Sequence, residues 1–182
     1  MIMTPEPALI TSLQLPRELE ERLEGKPLVD VVDALIDAGF GMKALALVGS
    51  VLGAIGCCRL VHSELRELGG PIDSEEDELL FGLLADWFAE PEEQSRRLAL
   101  AAAEKLEYAT PVAMLAAAIA LSEGSLAPEE SDQEVRAPEQ ACISLAIGAY
   151  VAAGKDMTAS GDLPILVRRF SARGVEAMQA ER

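Results

Sequence analysis

The chain has 182 residues, enough to bury about 70% of the surface that its unfolded form would expose, so we expect one domain with a sizeable core. Half of the residues are hydrophobic but only 4% are aromatic, which predicts a core of small and aliphatic side chains on closely packed helices. Thirty-one acidic residues against fifteen basic ones give a formal charge of −16, which opposes binding to nucleic acid and to anionic membranes.

This charge has two interpretations. If it selects a partner, the partner is basic; otherwise the acidic surface only keeps the protein soluble and monomeric.

Three cysteines do not form a disulfide framework in a chain of this length. The N-terminus has no charged start followed by an apolar core, as a secretory signal would, and the uncharged run between Lys43 and Arg59 is shorter than a membrane span. We therefore expect a cytoplasmic protein.

The first elements are short. Residues 1–15 contain prolines and lack a helical period, which predicts a flexible N-terminal arm. A helix begins at Pro16 and stops at Gly25, and an amphipathic helix follows from residue 28 to Gly39.

The next segment is the most apolar of the first half. Residues 44–55 are apolar almost all round, which predicts a helix with neighbours on several sides. Residues 57–68 regain polar side chains, and Gly56 either splits one long helix or joins two. Residues 69–71, Gly-Gly-Pro, end the segment.

An acidic run then opens a helix. Five of the six residues from 73 to 78 are acidic, and their charges suit the positive end of a helix dipole. Either Asp73 or Ser74 can cap this helix. The face predicted to be buried comprises Leu79, Leu80, Phe81, Leu83, Leu84, Trp87 and Phe88.

The following helix begins at Glu90-Pro91. Its pattern places four apolar residues inward and four charged residues outward or along its edges. The inward residues are Leu98, Leu100, Ala101 and Leu106, and the others are Arg96, Arg97, Glu104 and Lys105. Thr110 and Pro111 are a good start pair for the next helix, and residues 112–121 are apolar enough to lie in the core.

The last part of the chain begins with an acidic linker at residues 123–138. A third internal helix covers residues 142–151, and Asp162 caps the final helix. The sequence thus predicts an all-α fold of eight or nine helices, with residues 16–182 as a single domain. We expect irregular stacked helical hairpins, and a closed helical bundle is the alternative.

Six charged residues are candidates for binding a partner: Arg96, Arg97, Glu75, Glu76, Asp77 and Glu78. The arginines could bind a carboxylate or phosphate through forked hydrogen bonds, although pairing with neighbouring helices of the same chain explains them better. The acidic run needs no ligand, because it compensates the helix dipole. It also lacks the ligand spacing of a helix–loop–helix calcium site.

Cys58 and His62 stand four residues apart, on one face of a helix. They could share a metal ion or form a thiolate–imidazole pair, and Cys142 could complete such a site from another helix. A buried thiol beside a half-exposed imidazole is the better interpretation, because the chain has one histidine and no second ligand pair. We therefore predict no catalytic residue, metal or cofactor.

The order of several motifs resembles an uncharacterised bacterial all-helical family of unknown function. The motifs are Leu35-Ile36-Asp37-Ala38-Gly39, Trp87, Glu90-Pro91, Arg96-Arg97, Ala101-Ala102-Ala103-Glu104, Thr110-Pro111, Gly124-Ser125, Ala127-Pro128 and Arg168-Arg169-Phe170. The resemblance implies a helical fold, the bacterial cytoplasm and an association with type VI secretion gene neighbourhoods, and it implies no catalytic residues. The chain departs from the family where Cys57-Cys58 replaces a tryptophan pair and where residues 129–138 are acidic rather than proline-rich.

Three functions remain open at this point. The first is a non-enzymatic scaffold, adaptor or chaperone that presents an acidic face to a protein partner. The second is an immunity protein whose acidic surface neutralises a basic effector toxin. The third is a metal-binding protein or enzyme that uses Cys58 and His62.

Overall fold

The computed structural model describes residues 3–68, 72, 74–127, 133–159 and 161–180, and these ranges contain ten α-helices and no β-strand. The helices are α1 (Pro7–Ser12), α2 (Arg17–Leu23), α3 (Leu28–Asp37), α4 (Gly41–Glu67), α5 (Glu75–Ala89), α6 (Glu93–Lys105), α7 (Pro111–Ser122), α8 (Glu139–Ala153), α9 (Lys155–Ala159) and α10 (Leu163–Ala180). The predicted all-α class is confirmed. Residues 69–71, Asp73 and residues 128–132 of the predicted linker lie outside the described residues.

The structure adds two short helices, α1 and α9, to those predicted. Helix α1 lies in the predicted N-terminal arm, where Ile10 is buried and the carbonyl of Met3 accepts a hydrogen bond from the backbone N–H of Leu28 at 2.7 Å. The sequence did not predict this helix, because its six residues are too few to show a period. The predicted domain boundaries at residues 15 and 16 stay a prediction.

The sequence left open whether Gly56 splits one long helix or joins two. The segment forms one element, α4, and its interruption falls at Gly53 instead. Gly53 has φ 72° and ψ 170°, a backbone conformation that essentially only glycine adopts. The carboxylate of Glu139, on α8, accepts a hydrogen bond from the backbone N–H of Ala54 at 3.1 Å. A side chain therefore caps the helix where it resumes.

The chain packs into two compact units, Met1–Leu52 with Asp156–Arg182 (the first unit) and Gly53–Lys155 (the second unit). In the first unit α3 packs against α10, and Arg168 donates hydrogen bonds to Asp33 at 3.1 Å and Asp37 at 3.5 Å. Lys43 donates to the carbonyls of Leu13 and Gln14. These bonds hold the end of the predicted arm against the first part of α4.

In the second unit, helices α5 to α8 pack on one another in chain order. Residues 112, 113 and 115–120 of α7 are all buried, and Ala146, Ala149 and Tyr150 of α8 are fully buried. The prediction that these two apolar helices lie inside is confirmed. The choice between stacked hairpins and a closed bundle stays a prediction.

Within the described residues, α4 is the one helix whose length and composition would suit a membrane span. Half of its most apolar window is buried inside the protein, and the break at Gly53 divides it. Core helices of folded proteins show the same pattern.

Candidate interaction surface on helices α5 and α6

The second unit carries most of the excess negative charge. It contains nineteen of the thirty-one acidic residues and seven of the fifteen basic ones, which is −12 of the formal charge of −16. The six candidate partner-binding residues all lie in this unit, on α5 and α6. Their surroundings differ from one residue to the next.

Asp77 joins the beginnings of two helices. The hydroxyl of Ser74 caps α5, since it accepts from the backbone N–H of Asp77 at 3.0 Å and donates to the Asp77 carboxylate at 2.9 Å. The hydroxyl of Thr110, the cap of α7, donates to the other oxygen of that carboxylate at 2.6 Å and accepts from the N–H of Ala113. Asp77 is only 3% exposed. The structure thus corrects its assignment to the candidate surface, because its carboxylate is used within the fold.

Glu75, Glu76 and Glu78 occupy the same first turn of α5 and are exposed. Their charges oppose the positive end of the helix dipole. Glu78 lies 3.7 Å from the guanidinium of Arg66, and both side chains are 64% exposed, so this ion pair contributes little. The three carboxylates therefore form a hydrated, negatively charged group at the start of α5, here called the acidic turn.

Arg96 lies inside the second unit rather than on its surface. Its side chain is forked against the Glu93 carboxylate, with Nε–Oε2 and Nη2–Oε1 distances of 2.7 and 2.6 Å. The guanidinium also donates to the carbonyls of Ala120 and Ser125. Only 2% of the residue is exposed, so the prediction that it points outward or along the helix edge is wrong. Arg96 cannot contact a partner in this position.

Arg97 and Gly124 complete this cluster. Arg97 donates to the Glu93 carboxylate at 2.7 Å and to the carbonyl of Ala127 at 3.4 Å. The hydrogen bond from Arg96 to the same carboxylate holds the pKa of Glu93 below its ordinary value of 4.5. Gly124 has φ +71°, and a Cβ there would lie 2.8 Å from the Glu93 carboxylate and 3.0 Å from Arg96. Only glycine fits. Both arginines thus fix the loop that follows α7.

An apolar groove lies between α5 and α6, with a volume of about 230 Å³. It is lined by Glu76, Leu79, Leu80, Leu83, Ala102, Lys105 and Leu106. Leu79 is 69% exposed and Leu98, one turn before Ala102 on α6, is 54% exposed. Ala101 is exposed as well, so the prediction that Leu79, Leu98 and Ala101 are buried is wrong. The seven apolar residues of α5 are more than one face of a helix can bury. Their number therefore indicated, from the sequence alone, that some of them lie on a second, exposed face.

Aromatic stacking holds α5 against the second part of α4. The His62 ring stacks on Phe81 with a centroid distance of 4.0 Å, and its Nε2 lies 3.2 Å from the Phe81 carbonyl. Phe88 meets the same ring edge-on, and Arg59 lies over Phe88 at 4.9 Å while donating to its carbonyl. Arg66 covers Phe81 at 4.7 Å. These contacts position the groove and the acidic turn.

The Cys58 and His62 pair has surroundings typical of a core. Cys57 and Cys58 are fully buried, and burial raises the pKa of Cys57 to about 12 and that of Cys58 well above its ordinary value. The thiolate needed for nucleophilic attack or metal binding is thus strongly disfavoured. Burial also lowers the pKa of His62. Among the described residues no group of three or more histidine, cysteine, aspartate or glutamate side chains could hold a metal ion.

The comparisons with known proteins place the chain in one family. The sequence model of the "Family of unknown function (DUF6931)" matches residues 31–178, which is most of the chain, so the protein belongs to this family. No curated protein and no solved structure matches the chain. The family description assigns no activity.

Proposed function

We propose that this DUF6931 protein is a non-enzymatic protein-interaction module, a scaffold, adaptor or chaperone that presents an acidic face to a basic partner protein. The observation that supports this proposal is the acidic turn. Glu75, Glu76 and Glu78 are exposed side by side in the unit with a formal charge of −12. Such a concentration of one sign of charge steers a partner of opposite charge.

The basic residues near the three carboxylates of this turn are Lys105, which lines the same groove as Glu76, and Arg66. Arg96 and Arg97 are engaged with Glu93 and with backbone carbonyls of the same unit. Arg66 lies 3.7 Å from Glu78 in an exposed, weak pair. A Lys- or Arg-rich partner therefore meets carboxylates whose charge is still largely available.

The proposal extends to location. The motif order that resembles a bacterial family supports cytoplasmic residence and an association with type VI secretion gene neighbourhoods as parts of this proposal, and three unpaired cysteines agree with a reducing compartment. A second candidate, neutralisation of a basic effector toxin by an immunity protein, is favoured by the same concentrated charge. The burial of Cys58 gives the metal or enzyme alternative no support.

A capture experiment with matched variants tests the proposal. The full chain is immobilised and exposed to a host extract at low and at high salt, beside the triple variant Glu75→Gln, Glu76→Gln, Glu78→Gln. The control replaces Glu18, Glu21 and Glu24, which are exposed in the first unit, by Gln and has the same net charge. Salt matters because the screening length falls from about 10 Å at 0.1 M to about 3 Å at 1 M.

We expect the wild type and the control to retain a basic protein at low salt, and the α5 variant to lose it. One very tightly bound effector would favour the immunity function, whereas several structural partners would favour a scaffold. Equal retention by all three proteins, or retention of no protein, contradicts the proposal.

A further inference from the structure

We propose that Gly53 is a hinge and that the Glu139 carboxylate holds it in one of two positions. In this proposal α4 changes between the interrupted form and a continuous helix, which changes the direction of its first part relative to its second. This conformational change is separate from the proposed interaction function. Three features support it: the places where the chain passes from one unit to the other, the backbone at Gly53 and the hydrogen bond from Ala54.

The chain passes between the two units at two places, each beside a glycine at the end of a helical segment. The first passage is between Leu52 and Gly53, inside α4. The second is between Lys155 and Asp156, next to Gly154, the residue that follows α8. Hinges between domains generally consist of a few residues at the ends of elements, which absorb the change in φ and ψ. Both passages have this character.

Gly53 can adopt the backbone of either form. Its φ of 72° and ψ of 170° interrupt α4, and the residues on both sides of it are helical. Glycine also enters the right-handed helical region, since it has no Cβ. A residue with a Cβ would hold only the helical form, because the interrupted conformation is essentially restricted to glycine. Contacts outside Gly53 therefore decide which form is populated.

The Glu139 carboxylate stabilises the interrupted form. Where a helix begins, its first N–H groups have no acceptor within the helix. The N–H of Ala54, the first after the break, donates to Oε1 of Glu139 at 3.1 Å. In a continuous helix the same N–H would donate to the carbonyl of Ser50, four residues earlier. Each form thus has an acceptor for this donor. Glu139 is exposed, so water hydrates its carboxylate when the bond opens.

Relaxation dispersion of the backbone amides tests the hinge in the wild-type chain. This measurement detects exchange with a minor conformation on the microsecond to millisecond timescale, on which hinge motions occur. We expect exchange at residues 50–56 and again at residues 154–156. Flat profiles at these residues overturn the hinge.

Distances between two spin labels identify the second form. The labels are attached to Ile165→Cys in the first unit and Leu98→Cys in the second, at positions 55% and 54% exposed. The three native cysteines are at most 1% exposed and remain unlabelled. We expect one main distance, with a second form of at most about 10%. Adding Gly53→Ala should make the second distance the main one.

The role of Glu139 is tested in the same labelled protein. Glu139→Ala removes the acceptor of Ala54 and should increase the second population several-fold. The control Glu134→Ala removes an exposed carboxylate five residues earlier and should leave the distances unchanged. An equal response to both substitutions overturns the role of Glu139.

Wild-type distances in both Gly53→Ala and Glu139→Ala, with the two proteins folded by circular dichroism, overturn the whole proposal. If either variant does not fold, the relaxation dispersion of the wild-type chain decides.

Discussion

Arg96 and Arg97 are neighbours in the chain but have different surroundings. Arg96 is buried and donates to one carboxylate and two backbone carbonyls. The Arg97 side chain is 31% exposed and shares the Glu93 carboxylate. Burial makes the loss of Arg96 cost more stability than the loss of Arg97. A buried acceptor left without its donor has no water to replace it, whereas an exposed acceptor is hydrated again.

We therefore expect Arg96→Met to lower the free energy of unfolding by about 2–3 kcal/mol, since it leaves buried carbonyls without their charged donor. The matched variant Arg97→Met should lose less than about 1 kcal/mol. Urea unfolding followed by circular dichroism measures both values. Equal losses for the two variants would contradict the surroundings described for them.

His62 connects stability to pH. Burial lowers its pKa from the ordinary value of 6.5, and the nearby charges of Arg66 and Arg59 add to this, while the bond to the Phe81 carbonyl acts in the opposite direction. Between the folded and unfolded pKa values the unfolded chain binds more protons, so stability rises with pH in that interval. The contribution is complete above about pH 6.5 and is lost as pH falls towards the folded pKa.

The variant His62→Phe keeps an aromatic ring against Phe81 but does not titrate. We expect its free energy of unfolding to fall less than that of the wild type between pH 7.5 and pH 5.5. Chemical unfolding at a series of pH values makes this comparison, and the carboxylates common to both proteins cancel from it. Parallel curves for the two proteins would show that His62 is not the source of the dependence.

At the scale of elements, a single glycine determines where helix α4 is interrupted. Gly49, Gly53 and Gly56 all lie in the same apolar segment, and the pattern of side chains does not distinguish them. The backbone leaves the helical conformation at Gly53 alone within this helix, where Glu139 of α8 supplies the replacement hydrogen bond to Ala54. The break therefore depends on a partner far away in the chain.

Gly53→Ala should reduce the free energy of unfolding by about 1–3 kcal/mol, because alanine does not adopt this backbone conformation without strain. Gly82→Ala is the matched control, since Gly82 lies within α5 with no atom within 4 Å of an added Cβ. That substitution should stabilise by about 0.5–1 kcal/mol. Thermal and urea unfolding of the two variants give the signs. A neutral or stabilising Gly53→Ala would contradict the break at this position.

At the scale of the whole molecule, charge and apolar surface are unevenly distributed. Most of the negative charge belongs to the second unit, and the exposed Leu79 lies one turn from the acidic turn. Glu76 of the acidic turn lines the apolar groove together with Leu79. This arrangement is the reason for assigning the interaction function to the second unit.

The sequence by itself determined the helical class, because a helix depends on local patterns. Gly39 and the Thr110-Pro111 pair mark boundaries that the structure confirms, and the charge-free run of α7 indicated an interior helix. Local propensity, capping and the 3.6-residue period suffice for such predictions.

Only the tertiary structure decided the site. It buried Arg96 and Asp77, which are charged, and exposed Leu79 and Leu98, which are apolar. The physical reason is that the burial of a side chain depends on which helices pack around it and on hydrogen bonds from distant residues, such as that between Thr110 and Asp77. Neither is encoded in the spacing of residues along one helix, so the groove became visible only once α5 and α6 lay side by side.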